Sequence, residues 1–210
     1  MGRKVEGLCR MSLDPQLVIM AKAPLIGRVK TRLARDIGGV EALRFFREAA
    51  ASLIRRVGRD PRWRTVIAVS PDRAVHEPGI WPADIPRIAQ GGGDLGARMG
   101  SLFRDLPPGP VVIVGADIPG IERRHIAAAF AALGRHDTVL GPAEDGGYWL
   151  VGMRRRPRVA EIFDGVRWSS EQAMADTLEN IRKRKMSVAM LESLADIDEG
   201  KDLARWRRGT

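Results

Sequence analysis

Short apolar runs and longer amphipathic stretches alternate along the chain. LVIMA (Leu17–Ala21) and VVIVGAD (Val111–Asp117) show no polar alternation until the closing aspartate, the pattern of strands covered on both faces. TVIAVS (Thr65–Ser70) is β-branched and bounded by proline-containing turns. Between the first and last of these, Ala42, Leu43, Phe46, Ala49, Ala50, Leu53, Ile54 and Val57 recur at helical spacing and predict a helix over 40–57. Further helices are predicted over 94–106, ending before Pro107-Pro108, over 122–133, and over 199–206. A helix over 169–185 is predicted to start at a capping box, because Ser169 stands three residues before Gln172. PRIAQ (86–90), DTVLGPA (137–143), GYWLVGM (147–153) and MSVAML (186–191) read as the remaining strands, and the proline-rich stretch 76–86 as irregular connection.

Strand and helix in alternation predict an α/β fold with a mostly parallel sheet and helices on both faces. Ligands of such sheets bind beyond the carboxyl ends of the strands. Five unusual segments follow strands: AKAPLIGRVKTRLA (21–34), QGGGDLGARM (90–99), GADIPG (115–120), GPAEDGGYW (141–149) and DIDEGKDL (196–203). A parallel sheet would gather most of them along one edge and make one site of scattered motifs.

Composition narrows the class. With 210 residues, 44% of them hydrophobic, the chain can build one sizeable core; residues 1–13 read as a flexible extension and 14–210 as one domain. Cys9 is the single cysteine, so no internal disulfide forms and a reducing, cytoplasmic setting is expected. No apolar run reaches membrane-spanning length. His76, His125 and His136 stand apart with no partner at zinc-ligand spacing. The formal charge of +9 raises a nucleic-acid partner. Yet the basic clusters at 154–158, 182–185 and 205–208 fall on helix ends or loops and lack interleaved aromatics, which disfavours that reading.

The candidate chemistry lies in the five segments. Lys22, Arg28, Lys30 and Arg32 crowd one stretch that Pro24 and Gly27 hold out of a helix, a set suited to a di- or triphosphate, with a solvated basic turn leading into the next helix as the alternative. Val29, not glycine, precedes Lys30-Thr31, so this is no Walker A loop. Gly91, Gly93 and Gly96 formally match a dinucleotide fingerprint, but mid-chain; they read better as a tight loop opening the next helix, with Asp94 as N-cap, where the loop could lie against a base or ribose and Arg98 could equally reach a phosphate or face water. Asp117 at a strand terminus suits Mg2+ or Mn2+, with helix capping as the alternative. Asp196, Asp198 and Asp202 lie in the C-terminal segment, where Asp198 could complete a metal site or cap a helix. Glu144 and Asp145 precede Gly146-Gly147, either as a hairpin turn or as an acceptor pocket with Asp145 as base. Tyr148, Trp149 and Trp168 could stack on a base or sugar, although packing suits Trp149 better.

These segments, with HDTVLGPAEDGGYWLVGM and RWSSEQAMADTL, resemble in order the bacterial glycosyltransferase-like family DUF2064, over about residues 17–205. One subset of it is named for arsenosugar biosynthesis, and the family belongs to the nucleotide-diphospho-sugar transferases. The resemblance implies a GT-A, Rossmann-like three-layer sandwich on a mixed, mostly parallel sheet. It implies metal and nucleotide binding at Asp117 and, by analogy with sugar-nucleotide synthetases, a second ligand at Asp198. It also touches the phospholactate guanylyltransferases. Two departures matter: the family's usual Asp-Thr-Pro-Glu-Asp-Leu tail is altered at Glu199-Gly200-Lys201, and the guanylyltransferase Thr-Asn after the glycine pair is here Tyr148-Trp149. The leading expectation is a metal-dependent glycosyltransferase using a nucleotide-diphosphate sugar and a small acceptor, with Glu144, Gly146, Gly147 and Trp168 lining the acceptor pocket. The alternatives are a nucleotidyltransferase releasing pyrophosphate and a non-enzymatic nucleotide or nucleic-acid binder.

Overall fold

The computed structural model describes residues 13–156 and 159–209. Residues 1–12 of the expected extension, and part of the basic cluster at 154–158, lie outside the described residues. The chain runs β1 (Gln16–Lys22), α1 (Thr31–Ile37), α2 (Gly39–Val57), β2 (Arg64–Ser70), β3 (Arg87–Ala89), α3 (Leu95–Asp105), β4 (Val111–Gly115) and α4 (Arg123–Leu133). It continues through β5 (Thr138–Pro142), β6 (Tyr148–Met153), α5 (Ala173–Lys183), β7 (Val188–Met190) and α6 (Gly200–Gly209).

The strands form one sheet in the order β3-β2-β1-β4-β6-β5-β7. Neighbours are parallel except around β6, which runs against β4 and β5, so this is a mixed, mostly parallel sheet. On β1 the side chains alternate between two cores. Leu17, Ile19 and Ala21 face α2 and α4, among Leu53, Ile54, Trp63 and Ile126, while Val18 joins Met99, Phe103, Ile113 and Ile181 under α3 and α5. That is why β1 lacks polar alternation: both faces are dry. Trp149, 2% exposed, belongs to the first core, as its strand position suggested.

Two expectations are corrected. The basic segment is not loop throughout, because Thr31–Ile37 forms α1. Leu33, fully buried among Ala42, Phe45, Ile197 and Leu203, supplies the packing that holds so short a helix. The fifth helix also begins later than the sequence suggests. Ser169 has a positive φ of 58° and caps nothing, and Gln172 itself is the N-cap, without a side-chain capping bond. The Asp94 cap does form, its Oδ1 accepting from Ala97 N at 2.8 Å.

Because only β6 is reversed, the carboxyl ends of β1, β3, β4, β5 and β7 open on the same edge. All five unusual segments therefore converge there.

Candidate active site

The site is built around Lys30. This residue occupies the N-cap position of α1 in the left-handed conformation (φ 45°, ψ 48°), and its side chain makes no capping bond. Instead it runs inward, only 3% exposed, and its Nζ lies 2.9 Å from Asp117 Oδ2, 3.1 Å from Asp196 Oδ1 and 2.9 Å from Asp198 Oδ1. Asp117 follows β4, whose end is tied to β1 by the bond from Ala116 N to Met20 O. Asp196 and Asp198 come from the extended segment before α6.

That C-terminal segment is located by its own anchors. Asp36 on α1 accepts from Gly200 N at 2.7 Å, and Asp202 Oδ2 accepts from Asp198 N and Glu199 N at 3.2 and 2.9 Å. Asp202 thus serves the start of α6 rather than the carboxylate cluster. Ile197, 1% exposed, is pressed between the two aspartates into the small core under α1. Alternation along an extended chain then turns Asp196 and Asp198 to the same side.

One ligand oxygen from each of Asp117, Asp196 and Asp198 lies within 4.8 Å of the others. Burial pushes the Asp196 carboxyl up to about 6, against the pull of Lys30 and with the push of Asp117 and Asp198. Burial alone would lower Lys30, but the three aspartates outweigh it and hold the ammonium above its ordinary range. Arg32, largely exposed, reaches only Asp198, at 3.5 Å. Three carboxylates against these two cations leave a net negative charge within a strongly basic protein. An all-oxygen donor set of this kind fits a hard divalent cation, Mg2+ or Mn2+.

The cluster separates two hollows. On one side a cavity of about 260 Å³ is lined by Lys22, Lys30, Arg98, Asp117, Gln90 and Tyr148, among others. On the other a cleft of about 340 Å³ carries Arg32, Glu144, Asp145, Asp196 and Asp198. Of the remaining expected residues, Arg28, Gly93, Asp94, Gly146, Gly147 and Trp168 line neither, and the two acids on the cleft have partners of their own. Arg28 is exposed on the preceding turn. Gly93 and Asp94 are spent on the start of α3, where Gly93 O also accepts from Arg98 Nε at 3.0 Å. Asp145 Oδ1 accepts from Gly147 N at 2.9 Å, closing the β5–β6 hairpin, and Glu144 is paired with Arg205 at 2.7 Å. Gly146 packs on the backbone of Glu171, and Trp168 packs against Gly96, Phe163 and the edge of Tyr148. Trp168 therefore backs the cavity wall through Tyr148 and is not itself on the wall.

The sequence marks three contributors only weakly or not at all. Asp196 carries no signal beyond its two-residue spacing from Asp198. Tyr148, a candidate for stacking on a base or sugar, lines the cavity, its hydroxyl pushed well above its ordinary range by burial and 3.4 Å from Thr177 Oγ1. Gln90, 5% exposed, donates its amide hydrogens to Ala21 O and Ala68 O and locks the cavity floor to β1 and β2; nothing in the sequence marked it.

Residues 53–170, more than half of the chain, match the family model DUF2064, described as an uncharacterized protein conserved in bacteria. The chain belongs to the DUF2064 family. A 2-phospho-L-lactate guanylyltransferase of Methanopyrus kandleri is 28% identical over 181 residues, covering 84% of each chain. A crystal structure from Desulfovibrio desulfuricans G20, assigned to the nucleotide-diphospho-sugar transferases, superimposes with a TM-score of 0.85 at 28% identity, over 93% of this chain and 87% of that one. A Mycobacterium tuberculosis protein solved with manganese shares the fold at 13% identity and a TM-score of 0.51, over 94% and 100%. The DUF2064 chain thus has the nucleotide-diphospho-sugar transferase fold, and the expectation of a transferase stands.

Proposed function

We propose that this DUF2064 protein is a metal-dependent nucleotidyltransferase that joins a nucleoside triphosphate to a small, already ionised acceptor and releases pyrophosphate. The reading rests on one observation: Lys30 Nζ and the carboxylates of Asp117, Asp196 and Asp198 meet at the wall of a cavity that also presents Lys22 and Arg98. Lys22, Lys30 and Arg98 would hold the phosphates, and the aspartates Mg2+ or Mn2+. When bound, such a cation neutralises charge on the phosphates and polarises them toward attack. In the reaction an anionic acceptor oxygen forms a bond to the α-phosphorus while the bond to the bridging oxygen breaks, and that oxygen leaves with pyrophosphate. An ionised acceptor needs no base. This accords with Asp145 and Glu144 being engaged in their own turn and with Arg205. The guanylyltransferase relatives and the manganese bound to a fold neighbour support the same reading.

Glycosyl transfer, the leading expectation from sequence, is the second reading. It is favoured by the Desulfovibrio structure and by the opening of Asp145 on the cleft beside Asp198. The test is a panel of nucleoside triphosphates and sugar nucleotides with Mg2+ or Mn2+ and pooled small acceptors, followed for pyrophosphate and for nucleoside diphosphate. Acceptor-dependent pyrophosphate, retained in Asp145→Asn, is the expected result. Nucleoside diphosphate from a sugar nucleotide, abolished by Asp145→Asn, would replace it with the second reading.

A further inference from the structure

We infer that Lys30 is a built-in counter-ion which closes the carboxylate cluster to free divalent cations, so that the protein takes its metal together with a nucleotide's phosphates and not alone. This deepens the proposed function and rests on its assignment of the aspartates to a metal.

The Lys30 ammonium touches one oxygen on each of the three carboxylates at 2.9–3.1 Å, and these carboxylates offer the only described cluster of three possible metal-ligating side chains. A divalent ion seated on the same oxygens would stand within contact distance of the ammonium, and two cations so close in a buried setting repel strongly. One must leave. Lys30 is held there firmly in the absence of a competitor: its side chain is 3% exposed and its backbone is fixed at the turn into α1 by the buried Val29 before it and the buried Leu33 after it. Among the described residues no other cation is comparably seated on the cluster, since Arg32 is 62% exposed and touches Asp198 alone.

The exit for the ammonium is equally defined. Lys30 also lines the cavity that holds Lys22 and Arg98. Phosphate oxygens in that cavity would give Nζ a new anionic partner, and its departure would free the carboxylates. Metal and phosphates therefore assist one another, and by linkage each tightens the other by the same factor. Couplings of this kind run to about 5–150-fold.

The experiment measures Mn2+ binding to the nucleotide-free protein by electron paramagnetic resonance of the free ion, in wild type and Lys30→Met. Lys30→Met keeps the length of the side chain and removes the charge. The expected result is Mn2+ binding tightened by roughly 10-fold or more in the variant, within the usual range of such couplings. Unchanged or weaker binding, or no Mn2+ binding in either protein, overturns the inference. Should Lys30→Met fail to fold, wild type alone decides. Acetylation of Lys30, read by peptide mass spectrometry, should accelerate severalfold as Mn2+ is raised to saturation, and a constant rate overturns the inference. Neither readout requires turnover. Absence of pyrophosphate release with the Lys30–Mn2+ antagonism intact would sink the nucleotidyl reading and spare this one.

Discussion

Gly146 tests whether the β5–β6 hairpin is held by packing or reserved for a ligand. Its φ is +82°, and a Cβ built there would fall 2.3 Å from Glu171 O and 2.6 Å from Glu171 Cα. Gly27, on the basic turn, has φ +73° and nothing within 4 Å. Alanine at either position bears the left-handed backbone penalty, about 1–2 kcal/mol. At Gly146 it must also push two backbone segments apart by about 1 Å, because backbone has no rotamer to yield; overpacking of that kind adds about 1–3 kcal/mol. Gly146→Ala should therefore lose about 2–5 kcal/mol and Gly27→Ala about 1–2 kcal/mol. With a urea slope near 2 kcal/mol per molar, the midpoints should drop by roughly 1–2.5 M and 0.5–1 M. Urea unfolding followed by tryptophan fluorescence reads both. Because Met174 N donates to Gly146 O at 3.1 Å, displacement would also disturb the start of α5 and with it Asp145. Equal losses in the two variants would refute the packing argument. A Gly146→Ala protein of wild-type stability but without activity would assign the glycine to substrate contact instead.

Other consequences can be checked alongside. Asp117→Asn should lower turnover by about 100-fold or more while leaving the fold intact, since it removes one anionic ligand from the cluster and keeps its shape; steady-state kinetics with far-UV circular dichroism reads this. Leu33→Ala should destabilise by about 2–5 kcal/mol, because this fully buried side chain joins α1 to α2 and α6, and activity should fall further as Lys30 and Asp198 lose their common support. His125 is held below its ordinary value, chiefly by burial and then by Arg124, and its Nδ1 accepts from Glu122 N at 2.9 Å. A depressed histidine contributes stability that is present above the unfolded value near 6.5 and is lost as pH falls toward the folded value. Thermal stability should therefore drop between pH 7.5 and 5.5, and His125→Asn should flatten that drop; an unchanged slope would remove His125 from the account.

Much of the sheet was legible because its signal is local. β1 and β4 announced themselves as apolar runs, and α2 through its helical period, since burial on two faces or on one stripe writes itself directly onto neighbouring residues. The edges of elements were less so. The first turn of α5 depends on contacts of Gly146 and Glu171 distant in sequence, so the capping signature at Ser169 misled. The short helix α1 was hidden for the same reason: its seven residues owe their shape to the cover provided by α2 and α6.

The alternating α/β order, the strand ends where chemistry would gather and the cations, acids and glycines there can all be read along the chain. How those groups divide follows from the packed fold. It seated Lys30 among Asp117, Asp196 and Asp198, drew Glu144, Asp145 and Trp168 into local bonds and packing, and separated a cavity from a cleft. The reason is physical: charge pairing at 3 Å between residues up to 168 positions apart depends on the register of β1 against β4 and on the docking of α6, and neither leaves a local imprint on the chain.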